Sequence, residues 1–107
     1  MGVSREEIRA RDANRCARCG RGGVLHVHHR IRRSQGGKDT PENLITLCNP
    51  CHRWVHDHPM AARREGLLLS RHANPALVPV DHHLWPAGPV LLGPELGFAA
   101  WQAELDA

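Results

Sequence analysis

Two short apolar runs stand out in the first half of the chain, Val24-Leu25-His26-Val27-His28-His29-Arg30-Ile31 and Leu44-Ile45-Thr46-Leu47. Both are rich in Val, Ile and Leu, which reads as two strands, the second antiparallel to the first. Alternation puts Leu25, Val27, His29 and Ile31 on one side of the first strand, and His26 and His28 on the other. Residues 32–43 between the runs read as a loop, punctuated by Gly36-Gly37 and Pro41. Upstream, Ser4-Arg5-Glu6-Glu7 is a capping-box pattern that opens a short helix over about residues 5–13, with Ile8 as its one large aliphatic residue. Downstream, Asn49 suits an N-cap and Pro50 the first helical position, so a helix is predicted to about His58, ahead of Pro59. Strand, loop, strand and helix make a ββα unit of α+β class.

From Met60 the pattern changes. Residues 61–66 read as a connection or a short helical turn. Leu67-Leu68-Leu69-Ser70 and Leu77-Val78-Pro79-Val80 read as short strand pieces, Val90-Leu91-Leu92-Gly93 as one more strand, and Phe98 to Ala107 as a final helix. Prolines 75, 79, 86, 89 and 94 limit regular structure there. The expected organisation is a domain over residues 1–60 and an irregular β and loop extension over 61–107.

Composition adds a constraint. A 107-residue chain with one Phe, no Tyr and three Trp has little bulky core material and needs a staple. The four cysteines fall in two Cys-x-x-Cys pairs, Cys16-Ala-Arg-Cys19 and Cys48-Asn-Pro-Cys51. The N-terminus shows no apolar signal region, and no stretch of about 18 apolar residues exists to cross a membrane. The expected location is therefore the cytoplasm, where reducing conditions favour zinc over disulfides. Four thiolates make a closed, structural zinc site. The interval from Cys19 to Cys48 is long enough to hold the predicted hairpin and its loop, so the zinc would clamp its two ends. Structural zinc contributes on the order of 10–16 kcal/mol in small metal domains, more than this core would supply alone.

Charge divides the chain. Residues 1–64 hold 13 of the 14 Lys and Arg against six acids, a balance of +7, whereas residues 65–107 balance at −4. A basic front half points to a polyanionic partner.

The histidines carry the candidate chemistry. His52 and His56 stand four apart on the predicted helix, so both leave the same face and can hold a metal ion. His28 can add a third ligand from the strand, which leaves His29 free to act as a base near neutral pH. A strict pleat would aim His28 and His29 oppositely, so a shared site requires the strand to twist sharply or end there. His82-His83 lies in the tail with no partner spacing. Arg30, Arg32, Arg33, Lys38 and Arg53 are near the site in sequence and can hold phosphates.

Val27-His28-His29-Arg30-Ile31, Gly36-Gly37-Lys38-Asp39, Glu42-Asn43-Leu44-Ile45-Thr46-Leu47-Cys48-Asn49-Pro50-Cys51-His52 and then His56 together resemble the HNH endonucleases of the zinc-containing type common in bacteria and phages. The resemblance covers residues 16–58 well and 5–15 more loosely. It implies a ββα-metal (His-Me finger) fold holding one divalent ion, Mg²⁺, Mn²⁺, Ni²⁺ or Zn²⁺, beside the four-cysteine structural zinc. By position, it makes His29 the general base that activates water. Asn43 becomes the residue that holds the loop and the base in place. His52 is a metal ligand, His28 stands at the place of the ligand preceding the base, and His56 matches a further metal-binding or leaving-group position. The implied reaction is hydrolysis of DNA phosphodiester bonds, leaving 5′-phosphate and 3′-hydroxyl ends. No second reading element is evident, so low sequence specificity is expected. By analogy with phage members of the family, packaging proteins are candidate partners. The competing reading is a four-cysteine zinc finger that binds nucleic acid without cutting; it leaves His28, His29, Asn43, His52 and His56 unexplained.

Overall fold

The computed structural model describes residues 2–101. Helix α1 spans Arg5–Arg11 and opens with the expected reciprocal cap, Glu7 N–H donating to Ser4 Oγ at 3.1 Å and Ser4 N–H to Glu7 Oε1 at 3.0 Å. It stops two residues short of the expected end, because Ala13 and Asn14 take left-handed backbone angles (φ 61° and 55°) that a helix cannot continue through. Ile8 is its buried anchor.

Strands β1 (Leu25–His29) and β2 (Leu44–Cys48) pair antiparallel, with His28 opposite Ile45 and His29 opposite Leu44. All five residues of β2 are buried, because α1 and α2 both pack against the hairpin. Helix α2 spans Asn49–Asp57. Its N-cap is Cys48, one residue before the expected Asn49, so the thiol pair straddles the strand-to-helix junction. Pro50 in the first turn lacks only an N–H that would have no helical partner. A sharp turn at His58 starts a short helix α3 over Pro59–Arg64. The fold is a small mixed α and β structure in the ββα arrangement.

Beyond residue 65 several expectations are corrected. Leu67–Leu69 is buried but forms no strand. Its amides go instead to other partners, Leu67 N–H to Ala62 O and Leu69 N–H to Arg30 O. Pro75–Leu77 is a 3₁₀ turn capped by Asn74, and of the second expected strand only Val80 bridges Val90. Val90–Leu92 is a strand, β3, as expected, but its partner β4 is Phe98–Ala100, where a helix was expected. The rest of that expected helix, from residue 102, lies outside the described residues. The extension packs into the main core: Leu67, Leu68, Val80, Val90 and Leu92 share one buried cluster with Cys16, Ile45, Leu47, Cys48, Cys51 and Val55.

Two buried polar devices fasten extension to hairpin. Arg30 is fully buried and makes four bonds, Nε to Gly66 O (2.8 Å), Nη1 to Glu42 O (2.8 Å) and Pro75 O (3.1 Å), and Nη2 to Val78 O (2.7 Å). Desolvation, then nearby Arg11, pulls its pKa to about 10, so it remains a cation at neutral pH. Arg30 is therefore no phosphate contact: its guanidinium is spent inside the protein on main-chain carbonyls. The second device centres on Asp12, which accepts from Arg11 (2.9 and 3.0 Å), from Thr46 N–H (3.0 Å) and from His82 Nε2–H (2.9 Å). Burial alone would push its carboxyl up, but the bonds from His82 and Arg11 hold it below its ordinary value. His82 thus has a partner 70 positions away in sequence, which no local spacing reveals.

Candidate functional site

The first knuckle is a tight turn in which Gly20 N–H donates to Cys16 O and Cys16 N–H to Arg21 O, both at 2.8 Å. The second pair sits at the β2–α2 junction. These two turns bring the four Sγ atoms within 4.8 Å of one another, with Cys19 and Cys48 at 3.6 Å. A tetrahedral zinc with Zn–S bonds of about 2.3 Å requires sulfur separations of roughly 3.8 Å, so the four thiols fit that ion. None is in a disulfide. Burial pushes the Cys51 thiol up to about 12 and the Cys48 thiol upward as well, so binding a metal there must expel protons. Arg18 faces this cluster, with Nη1 3.7 Å from Cys51 Sγ, its guanidinium 3.7 Å over the Trp54 ring, and a 2.9 Å ion pair to Glu65. It sets a cation beside four thiolates whose charge a divalent ion only half cancels.

The second site is a cleft of about 210 Å³ whose lining includes His28, His29, Arg32, Arg33, His52 and His56. Strand β1 ends at His29, which resolves the pleat problem: the two neighbouring imidazoles both reach this cleft. His28 is buried, and its Nε2–H donates to Leu67 O at 2.7 Å, which leaves the lone pair on Nδ1. Burial lowers its pKa to about 4, so the ring is neutral, as a metal ligand must be. His52 and His56 leave one face of α2 with ring centroids 5.4 Å apart, and His28 stands 5.3 Å from His52. The imidazoles are looser than the thiols: among the described residues only the four cysteines bring one ligand atom each within 4.8 Å.

His29 donates Nε2–H to Asp39 Oδ1 at 2.7 Å, so the lone pair lies on Nδ1. That bond holds the Asp39 carboxyl below its usual value. Asn43 pins the intervening loop. Its Oδ1 accepts from Ile31 N–H (2.8 Å), and its Nδ2 donates to Ile31 O (3.2 Å) and Lys38 O (3.0 Å). Gly37 passes so close to the Ile31 carbonyl that a Cβ would stand 1.7 Å from its oxygen.

Arg32 and Arg33 are exposed at the cleft. Lys38 is exposed in a neighbouring hollow with Arg33, Gly37 and Asp39. Arg53 lines a separate hollow with Asn49, Pro50 and Trp54, away from the histidines. His58 stacks on Trp54 with ring centroids 5.4 Å apart. Three contributors went unassigned in the sequence. Asp39 lay inside the quoted Gly-Gly-Lys-Asp string without a role. The Leu67 carbonyl has no sequence signal. His26, whose ring is 5.6 Å from His52, was signalled only by alternation, which set it on the His28 side.

Residues 16–58 match the family model for HNH endonucleases. The chain is also 40% identical over 50 residues to the type IV methyl-directed restriction enzyme EcoKMcrA of Escherichia coli (strain K12), a match covering 38% of this chain. The match spans 18% of that relative's length, so the chain corresponds to a small part of it. No solved structure matches the chain. The matched span begins at the first cysteine of the four-thiol cluster and encloses the hairpin, the loop and the histidine-bearing helix, so the segment from Cys16 to His58 is similar to an HNH endonuclease domain.

Proposed function

We propose that this protein is a metal-dependent DNA endonuclease. The observation that carries the reading is the convergence of His28, His29, His52 and His56 on one cleft, with His29 held by a carboxylate through one nitrogen and bare on the other. His29 Nδ1 takes a proton from a water that attacks the scissile phosphorus, and Asp39 stabilises the imidazolium so formed. Asn43 keeps the loop bearing Asp39 against β1, which fixes the base. Arg32 and Arg33 hold the phosphate at the cleft, while Lys38 and Arg53 contact more distant phosphates. His28, His52 and His56 would hold a divalent ion (Mg²⁺, Mn²⁺, Ni²⁺ or Zn²⁺), which would supply Lewis-acid stabilisation of the developing negative charge. The four cysteines hold a separate zinc that shapes the domain and takes no part in the reaction. Products carry 5′-phosphate and 3′-hydroxyl ends.

The test is cleavage of supercoiled plasmid with each ion in turn, with the ends mapped. His29→Ala is expected to lose roughly 100- to 10,000-fold in rate with helix content and zinc retained. Cutting at the parental rate would refute His29 as the base. A parent that retards DNA in gels yet nicks with none of the ions would replace this reading with a binding module.

A further inference from the structure

His26 is the one imidazole beside the cluster that the proposed reaction does not use. Its Nε2 is buried and has no hydrogen-bond partner among the described residues. Orphaned buried polar atoms are rare enough to require a reason. The ring projects from the same side of β1 as His28, two positions on, and opposes Leu47 in the hairpin register. Its centroid is 5.6 Å from that of His52 with the planes 31° apart. Two imidazoles joined edge to edge by an N–H···N bond of about 2.9 Å hold their centroids roughly 5 Å apart. The observed 5.6 Å separation is close to that value.

We propose that His26 is a positioning residue for His52, its Nε2 lone pair accepting the N–H of whichever His52 nitrogen does not face the ion. This rests on the reading of His52 as a ligand. A metal-bound imidazole needs a partner for its second nitrogen, which fixes tautomer and ring orientation. His28 already has one in the Leu67 carbonyl. His56 stands exposed on α2 and can use water. His52, between them and half-buried, has His26 at hand. His26 does not line the cleft, which separates this role from direct coordination of the ion.

The experiment uses full-length protein with the four cysteines already loaded with zinc, titrated calorimetrically with Ni²⁺. The parent is expected to bind one further Ni²⁺ and His52→Ala to lose it. His26→Ala should weaken it by about 10- to 100-fold. His26→Gln, whose amide oxygen can accept the same proton, should recover most of the loss. Long-range ¹⁵N–¹H spectra should show one His52 tautomer in the parent and a mixture in His26→Ala. A His26→Ala protein with parental Ni²⁺ affinity and the parental tautomer, while His52→Ala has lost the ion, overturns this proposal alone. Unchanged Ni²⁺ affinity in His52→Ala overturns the ligand reading and this proposal with it. The tautomer and the Gln rescue distinguish positioning from general destabilisation, which would move neither.

Discussion

His28 does two things that pull against each other. It offers Nδ1 to the cleft, and it is buried with Nε2–H on the Leu67 carbonyl. Burial lowers its pKa from 6.5 to about 4, so the folded ring resists a proton that the unfolded chain accepts. The unfolded state therefore binds more protons between these values, and stability present above pH 6.5 is lost as pH falls towards 4. The effect is on the order of 3 kcal/mol. His28→Gln can keep a donor for Leu67 O without titrating. Urea denaturation at saturating zinc should show the parent losing stability more steeply than this variant between about pH 6.5 and pH 5. Equal slopes would mean that His28 is not held neutral by burial. Arg30 makes the opposite point, a cation that reads as a DNA contact by sequence and serves as a clamp by structure. Arg30→Lys places one ammonium among four carbonyls and should cost roughly 3–5 kcal/mol in denaturant unfolding. Arg32→Ala and Arg33→Ala should leave stability unchanged within about 0.5 kcal/mol and reduce both DNA affinity and its salt dependence.

At the scale of elements, the decisive unit is the β1–β2 hairpin with its loop. The strands and α2 were legible in the sequence because their signals are local: alternating or continuous Val, Ile and Leu, then proline in a first helical turn. The loop was legible as a loop only. That it is rigid comes from Asn43 bonding across it and from Gly37 lying against Ile31 O, a contact with no room for a side chain. Gly37→Ala forces the segment outward and carries Asp39 away from His29. Plasmid cleavage should then fall at least 10-fold while the zinc content and the far-UV spectrum stay parental. If cleavage survives at the parental rate, the Asp39–His29 bond is not what readies the base. The elements after residue 65 were misread for the converse reason. Their backbone groups are satisfied at long range by Arg30 and His28 and locally by Ala62, so the local apolar runs resembled strands without having strand partners.

For the whole molecule, the thiols and the extension close the structure from two sides. Three of the four cysteines, Cys16, Cys48 and Cys51, lie within the buried cluster, and residues from Cys16 to Leu92 contribute to that cluster. Stripping the zinc with a chelator should release one ion per chain and unfold the domain in the same transition, since the metal contributes on the order of 10 kcal/mol. Full helix content after stoichiometric zinc release would refute the clamp. Truncation after Arg64 should likewise prevent folding. It removes three of the four Arg30 acceptors, the Leu67 carbonyl that orients His28, and His82 beneath Asp12.

The sequence by itself determined the chemistry available. The two Cys-x-x-Cys pairs, the His28-His29 tandem, Asn43, and His52 with His56 at helical spacing are local patterns, and the side chains state their own ligand and proton-transfer capacities. Only the tertiary structure decided how these are held. It alone could end β1 at His29 so that two neighbouring histidines share a cleft, direct Arg30 inward, join Asp12 to His82, and lay the Leu67 carbonyl against the His28 ring. Those are contacts between residues 36 to 70 positions apart, fixed by which buried polar groups can reach one another. The same physics leaves His26 Nε2, beside His52, without a partner among the described residues.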